Sequence, residues 1–249
     1  PRLTANEFQY VINDVGASVL VTYPKQCERH SKKIISYTFK LKVLDILQGE
    51  ELSDICKNQD YILLESIIKQ KSIEFEDKAQ WDQVAVLLYT GGTTGFPKGV
   101  MLTHYNLVAN ASQFNHALKI RKGMKGVKVL ATLPLCHSFG LLCALLSPLF
   151  VGAEVVLHNH FDPSRVLADI QKLKITRFYG VPTMYIGLLR ANLERYDLSS
   201  LKTCVAGGSA LPQEVFEEFY SRTGIQIIEG YGLTECSPVT HLNPLDNPI

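Results

Sequence analysis

Residues 89–99 read Tyr89-Thr90-Gly91-Gly92-Thr93-Thr94-Gly95-Phe96-Pro97-Lys98-Gly99, and they follow the unbroken apolar run Val84–Tyr89. A short continuous apolar run bounded by glycine is the mark of a buried strand, so the string reads as a strand leading into a turn. Gly91, Gly92 and Gly95 lack Cβ atoms, which lets backbone N–H groups turn toward an anion. Thr93 and Thr94 add hydroxyl donors and Lys98 adds a point charge, so the segment can hold a polyphosphate. It is not a P-loop of the G-x-x-x-x-G-K-[ST] kind, because Lys98 follows Pro97 and precedes Gly99, with no Ser or Thr next to it for magnesium. Glycine and threonine alone fit a plain turn between two strands. The whole string, with paired threonines and a lysine set behind proline, favours the phosphate loop.

Outward from this loop the chain alternates. A helix capped by Thr103 runs through Leu107 and Val108 to Leu118. Strand-like runs recur at Val127–Leu133, Glu154–Leu157, Thr176–Tyr179, Thr203–Ala206 and Ile225–Ile228. Helical stretches separate them: Ser138–Val151, Ser164–Leu173 with Asp162-Pro163 as cap and first turn, Thr183–Leu193, and Gln213–Arg222. Alternation of this kind predicts an α/β fold, a mostly parallel sheet flanked by helices, and no internal repeat is visible. Upstream, Thr4-Ala5-Asn6-Glu7 is a capping box before a short helix to Asp14, followed by a strand at Ser18–Thr22. Charges are mostly basic between Lys25 and Lys42 and mostly acidic from Asp45 to Asp82, which reads as two solvated faces of a peripheral segment. The expected organisation is a peripheral α/β segment over residues 1–82 and a core over 83–249.

Composition sets the outer limits. With 249 residues, a net charge of +1, 46% hydrophobic and 20% charged residues, the chain can bury a core; it is no disordered tail or disulfide-stapled miniprotein, and nothing suggests a nucleic-acid partner. The cysteines Cys27, Cys56, Cys136, Cys143, Cys204 and Cys236 form no C-x-x-C pair and read as reduced thiols of a cytoplasmic protein. Val129–Ala153 carries no Asp, Glu, Lys or Arg across 25 positions, long enough to raise a membrane span. Pro134, His137, Gly140, Pro148 and Gly152 interrupt it, so strand, loop, buried helix and turn fit better. The chain begins at Pro1 and stops at Asn247-Pro248-Ile249 with no closing helix, as a piece of something longer would.

Three further segments carry candidate chemistry. In Tyr231-Gly232-Leu233-Thr234-Glu235 an aromatic face can stack on a nucleobase, Gly232 permits a tight approach, Thr234 can donate to a phosphate, and Glu235 offers a hard oxygen suited to Mg²⁺. A packed Tyr and a solvated Glu fit the same residues. Gly207-Gly208-Ser209-Ala210 follows an apolar strand, and so lies at a strand's carboxyl end, where α/β sheets bind ligands; a plain strand-to-helix turn fits as well. His137, between Cys136 and Phe139, has the context of a core histidine as much as of a ligand-binding one. No G-x-S-x-G elbow supports a Ser/His/Asp hydrolase.

Taken together, the chain resembles the adenylate-forming enzymes, which include acyl-CoA synthetases, luciferases and the adenylation domains of peptide synthetases. Thr90–Lys98 is similar to that family's phosphate-loop signature, Pro134-Leu135-Cys136-His137-Ser138-Phe139-Gly140 to its Pro-x-x-His segment, Ala206–Ala210 to a third signature and Tyr231–Glu235 to a fourth, in the family's order. The resemblance covers about Val84 to the end and implies part of the family's large N-terminal domain. It implies nucleotide contacts from Thr90, Gly91, Gly92, Thr93, Thr94, Gly95 and Lys98, and from Glu229, Gly230, Tyr231, Gly232 and Thr234, with Tyr231 against adenine and Thr234 at the α-phosphate. Gly208, Ser209 and Ala210 would line the adenine and acyl pockets, and Glu235 would hold magnesium. Thr94, Lys98, Thr234 and Glu235 carry the catalytic expectation. His137, Phe139, Leu141, Gly207 and Gly208 carry the acid-substrate expectation, with His137 as a binding residue and not a general base, because no carboxylate in its uncharged stretch can orient it. The family's downstream Gly-Asp motif and its small C-terminal domain with the catalytic Lys do not occur in these residues, so the chain alone is expected to bind ATP weakly and turn over slowly or not at all.

Within the family, amino-acid-activating members carry an Asp near the Pro-x-x-His region, and Val129–Ala153 has none. Phe139, Leu141, Leu142, Leu145 and Leu146 suit an apolar tail instead, and Phe178–Met184 looks like the acyl-CoA synthetase version of its segment. The implied reaction is AMP-forming activation of a medium- or long-chain fatty acid, with ATP, Mg²⁺ and coenzyme A as co-substrate. Leu141 stands where some long-chain members have a gating Trp; the single Trp is Trp81. The alternatives are a ligase for aryl or amino acids and a non-catalytic nucleotide-binding protein of the same fold. Thr93, Thr94, Lys98, Thr234 and Glu235 together count against the last. A homodimer, and a peripheral contact with the inner membrane, are compatible with a lipid substrate, though no basic amphipathic helix stands out.

Overall fold

Neighbouring residues on the central strands diverge to opposite faces, as a pleated strand requires, and each face meets its own layer of helices. A computed structural model of the chain describes residues 4–22, 42–45, 61–63, 69, 74–91 and 95–246. Gly92, Thr93, Thr94, Cys27, Cys56 and most of the two charge runs lie outside the described residues. The chain divides into two compact units, residues 1–78 with 91–97, and residues 79–90 with 98–249.

In the first unit, helix α1 (Ala5–Val15) begins at the expected capping box: Thr4 N–H donates to Glu7 Oε2 at 2.7 Å and Glu7 N–H donates to Thr4 Oγ1 at 3.3 Å. Strands β1 (Val19–Thr22), β2 (Lys42–Asp45) and β3 (Tyr61–Leu63) form a parallel sheet in that order. The loop Gly91–Pro97 groups with this unit although its flanking strands belong to the other. Within the unit, the Phe96 ring stacks on Tyr10 of α1 with centroids 4.8 Å apart.

The second unit opens with a hairpin. Strand β4 (Val84–Thr90) pairs antiparallel with β5 (Lys98–Thr103), Thr90 opposite Lys98. The expected buried strand at Val84–Tyr89 is therefore corrected. Only Leu88 in it is buried, Val84 and Leu87 being 47% and 40% exposed, because β4 joins a two-stranded hairpin and not the main sheet. Helix α2 (His104–Ala117) starts at Thr103, which forms a reciprocal box with Asn106, both bonds 3.1 Å.

The main sheet has six strands: β6 (Lys128–Ala131), β7 (Glu154–Leu157), β8 (Arg177–Gly180), β9 (Thr203–Ala206), β10 (Ile227–Gly232) and β11 (Val239–Leu242), in the order β11-β10-β9-β8-β6-β7. All pairs are parallel except the edge pair β10–β11. Between β6 and β7 the chain winds as a π-helix over Phe139–Leu146 and continues as α3 (Ser147–Val151), stopped by left-handed Gly152, where the sequence suggested one helix. Then come α4 (Pro163–Leu173), whose cap Asp162 accepts from Arg165 N–H at 2.8 Å, α5 (Pro182–Leu189) and α6 (Gln213–Thr223). Among the described residues no helix is long and apolar enough to cross a membrane.

Val129, Val205 and Ile228 face α2 and the π-helix, where Phe114 meets Tyr179 edge-on at 5.5 Å. Leu130, Cys204 and Ile227 face α4, α5 and α6. There Tyr185 packs edge-on against Phe178 and Phe219, and its hydroxyl donates to Val205 O at 2.8 Å. Each fully buried large apolar side chain contributes about 1.5–3 kcal/mol relative to exposure. Burial also pushes the Cys143 and Cys204 thiols well above their ordinary range, whereas Cys136 and Cys236 are exposed. In peptide-mapped labelling with a thiol reagent, native protein is expected to react at Cys136 and Cys236, with Cys143 and Cys204 reacting only after unfolding.

The strand order fixes where a ligand can enter. From β6 the chain crosses to β7 on one side, and after α4 it returns to β8 on the other. The connections leaving the carboxyl ends of β6 and β8 diverge, which opens a crevice at the switch point of the sheet.

Candidate functional site

A cavity of about 560 Å³ occupies this crevice, within the range of about 300–1,000 Å³ usual for small-molecule sites. Its walls come from segments that follow the carboxyl ends of four parallel strands: Leu133–Gly140 after β6, Val181 and Met184 after β8, Gly207 and Gly208 after β9, and Gly230–Thr234 at the end of β10. Phe114, Leu133, Val181, Met184, Val205 and Leu242 make the apolar part. Its polar part includes His137, Ser138, Tyr231 and Thr234, and the lining includes no Asp, Glu, Lys or Arg among the described residues.

Two glycines are dictated by this geometry. Gly208 has φ +85, and a Cβ there would also press on Val181 at 3.3 Å. Gly232 is stricter: a Cβ would fall 2.0 Å from Pro238 O, so no other residue fits without moving backbone. That approach belongs to a closed loop in which Leu233 N–H donates to Pro238 O at 2.9 Å and Cys236 N–H to Leu233 O at 2.9 Å.

The structure brings together His137, Phe139, Gly207, Gly208, Gly230, Tyr231, Gly232 and Thr234 on one cavity. His137 is exposed at it and is no core residue. Tyr231 is 61% exposed, tilted against His241 with centroids 6.1 Å apart. The Ser138 and Thr234 hydroxyls lie 3.3 Å apart, one donating to the other. Glu235 follows Thr234 on a single exposed 3₁₀ turn, Thr234–Cys236. Other expected residues are elsewhere. Leu141 packs half-buried against the core, Ser209 and Ala210 continue the exposed turn beyond Gly208, and Glu229 accepts from Leu211 N–H at 2.9 Å, tying that turn to β10. Thr90 and exposed Lys98 face each other at the mouth of the hairpin, and β5 lies beside the Thr234–Cys236 turn. Gly91 and Gly95 belong to the first unit.

Sequence reasoning missed Ser138, Met184, Phe114 and Leu242 as cavity residues. For Ser138 the signal was a lone hydroxyl beside His137 in an apolar run. Magnesium fits the donors present. Glu235 supplies one exposed hard carboxylate, and Mg²⁺ is commonly held by one or two carboxylates with substrate phosphates and water completing its shell. Among the described residues no group of three or more His, Cys, Asp and Glu is placed to hold a metal by itself.

A crevice at the switch point of a parallel sheet, walled by glycine-rich turns and one apolar side, defines an α/β protein with a cavity that is polar on one side and apolar on the other. The profile of the AMP-binding enzyme family matches residues 1–248, and the chain belongs to that family. It is 38% identical over 264 residues to the long-chain-fatty-acid–CoA ligase of Bacillus subtilis (strain 168), covering 98% of this chain and 47% of that protein. The crystal structure of the anthranilate CoA ligase AuaEII in complex with anthranoyl-AMP superposes with a TM-score of 0.83 at 26% identity, over 99% of this chain and 47% of that one. A long-chain-fatty-acid-CoA ligase (FadD1) from Archaeoglobus fulgidus gives 0.80 at 28% identity, over 99% and 49%. The chain spans about half the length of the curated relatives it matches.

Proposed function

We propose that the protein carrying these residues activates a medium- or long-chain fatty acid with ATP and passes the acyl group to coenzyme A. The observation that carries this reading is the union, in one cavity, of an uncharged apolar wall with the Thr234–Tyr231 edge. An ammonium-bearing substrate would need a carboxylate there, and the apolar wall favours an alkyl tail. The fatty-acid and anthranilate ligases among the relatives support acyl activation, the first more specifically.

In the first half-reaction a carboxylate oxygen attacks the α-phosphorus, the bond to the β-phosphate oxygen breaks, and pyrophosphate leaves. In the second, the sulfur of coenzyme A attacks the acyl carbon and AMP departs. Tyr231 stacks on adenine. Thr234, its hydroxyl already engaged with Ser138, donates to the α-phosphate. Lys98 holds the outer phosphates, and His137 holds the carboxylate at the cavity. Glu235, with the phosphates, would hold magnesium, whose charge would offset that of the departing pyrophosphate. The protein's share is positioning and electrostatic stabilisation.

Hydroxylamine trapping of the activated acyl group tests this with the native protein and a panel of decanoate, palmitate, benzoate and leucine. The fatty acids are expected to exceed the other two by roughly tenfold or more, the discrimination available to an apolar pocket. Preference for benzoate or leucine would move the protein to the aryl- or amino-acid ligases, and no product from any acid would leave a non-catalytic nucleotide binder.

A further inference from the structure

Asn110 lies on α2 in the same buried face as Leu107, Ala111 and Phe114, is 5% exposed, and has no part in the chemistry above. A primary amide in such a place costs free energy unless its polar atoms are bonded. Both ends are bonded, and to one residue 129 positions away. Asn110 Nδ2 donates to Val239 O at 2.8 Å, and Val239 N–H donates to Asn110 Oδ1 at 3.1 Å. Nδ2 also donates to Gln113 Oε1 at 3.2 Å. The pair of hydrogen bonds to one residue's N–H and C=O is what a neighbouring strand would give, and here a side chain gives it to the edge strand β11.

Val239 is the far anchor of the loop that bears Thr234 and Glu235. The near anchor is β10, held by β9 in the parallel sheet. From there Leu233 N–H reaches Pro238 O, Ser237 N–H donates to Thr234 O at 3.2 Å, and the chain enters β11 at Val239. Gly232 opposite Val239 has no room for a Cβ, and the ladder is irregular between Tyr231 and Gly232. Val239, Pro238 and the Thr234–Cys236 turn are thus joined by consecutive backbone bonds, through which a shift of Val239 would reach the turn.

We propose that Asn110 is a positioning residue for the nucleotide site: from α2 it clamps the backbone of Val239 and so sets where the Thr234 hydroxyl and the Glu235 carboxylate stand. The inference rests on the proposed reading of Thr234 and Glu235 as the α-phosphate and magnesium groups. Removing the clamp acts first on the ATP and metal side of the site; Pro238, Val239 and Leu242 also line the cavity, whereas its Leu133, Val181, Met184 and Val205 walls come from other segments and keep their shape.

The test uses the native protein with Asn110→Leu, which keeps the branched heavy-atom shape and loses both bonds to Val239, and Asn110→Gln, which keeps a neutral amide with its donor and acceptor one methylene further out. Kinetics are read well below each variant's melting temperature. Asn110→Leu is expected to raise the KM for MgATP and the Mg²⁺ concentration for half-activity by roughly tenfold, on the scale of one or two lost hydrogen bonds, with the fatty-acid KM within about twofold of wild type. Asn110→Gln falls between. Hydrogen exchange at the Leu233 and Ser237 amides is expected to quicken by roughly tenfold in Asn110→Leu. Unchanged exchange at those amides overturns the clamp, and parallel changes in both substrates' KM overturn its link to the nucleotide. If wild type binds no MgATP, the functional reading fails, while quickened amide exchange would still uphold the clamp.

Discussion

Glu235→Gln is expected to abolish Mg²⁺-dependent ATP binding and to lower fatty-acid-dependent ATP–pyrophosphate exchange by roughly a hundredfold or more, the scale of losing a group that stabilises transition-state charge. The substitution keeps length, shape and an acceptor oxygen and removes only the negative charge. Mg²⁺ demands hard anionic oxygen and sheds water reluctantly, so an amide is a poor replacement. Because Glu235 is exposed on a single 3₁₀ turn, the fold should change by no more than about 0.5 kcal/mol. The signature is an unaltered thermal melt with a lost Mg²⁺ response. Exchange within about twofold of wild type would remove Glu235 from the metal site.

Gly232→Ala should be as severe by a different route. The new methyl would stand 2.0 Å from Pro238 O and 2.8 Å from Pro238 C, both backbone atoms, so no side-chain rotation relieves it. Either β10 or the Pro238–Val239 segment must move, and Thr234 moves with it. Overpacking of this kind costs about 1–3 kcal/mol, and displacement of a positioning group by about 1 Å can cost roughly a hundredfold in rate. Melting and kinetics should both suffer, which separates this variant from Glu235→Gln. A Gly232→Ala protein with wild-type exchange would show that the loop tolerates the shift and that Thr234 is not held where the chemistry needs it.

What the sequence made legible was whatever is written locally. Glu154–Leu157 and Thr203–Ala206 are strands with those bounds, because each is a short apolar run between turn signals. Thr4, Thr103 and Asp162 cap helices as expected, since a cap is settled within four residues. Strand β5 was hidden between the glycine loop and the Thr103 cap, and β11 is a four-residue antiparallel edge with no helix to announce it. The apolar run Val84–Leu88 could not say whether it entered the main sheet or a hairpin, because that depends on its partner. The π-winding of Phe139–Leu146 was equally silent, since a segment with no polar face shows no period.

The site divides the same way. Glycine-rich turns at strand carboxyl ends identify themselves, and they brought Gly207, Gly208 and Tyr231–Thr234 to one cavity. Glu229 read as a nucleotide contact, and its Oε1 accepts from Leu211 N–H, a bond that no local pattern reveals. Ser138 meets Thr234 across 96 positions and Asn110 meets Val239 across 129. Such pairs are made by the topology of the sheet.

The proposed first step is attack of the acid's carboxylate on the α-phosphorus of ATP. It is tested most directly by supplying the native protein with palmitate labelled with ¹⁸O in its carboxyl group, together with MgATP and coenzyme A, and weighing the nucleotide product. The expected products are AMP carrying one ¹⁸O per turnover and unlabelled pyrophosphate. Formation of ADP, or AMP without label, would contradict it.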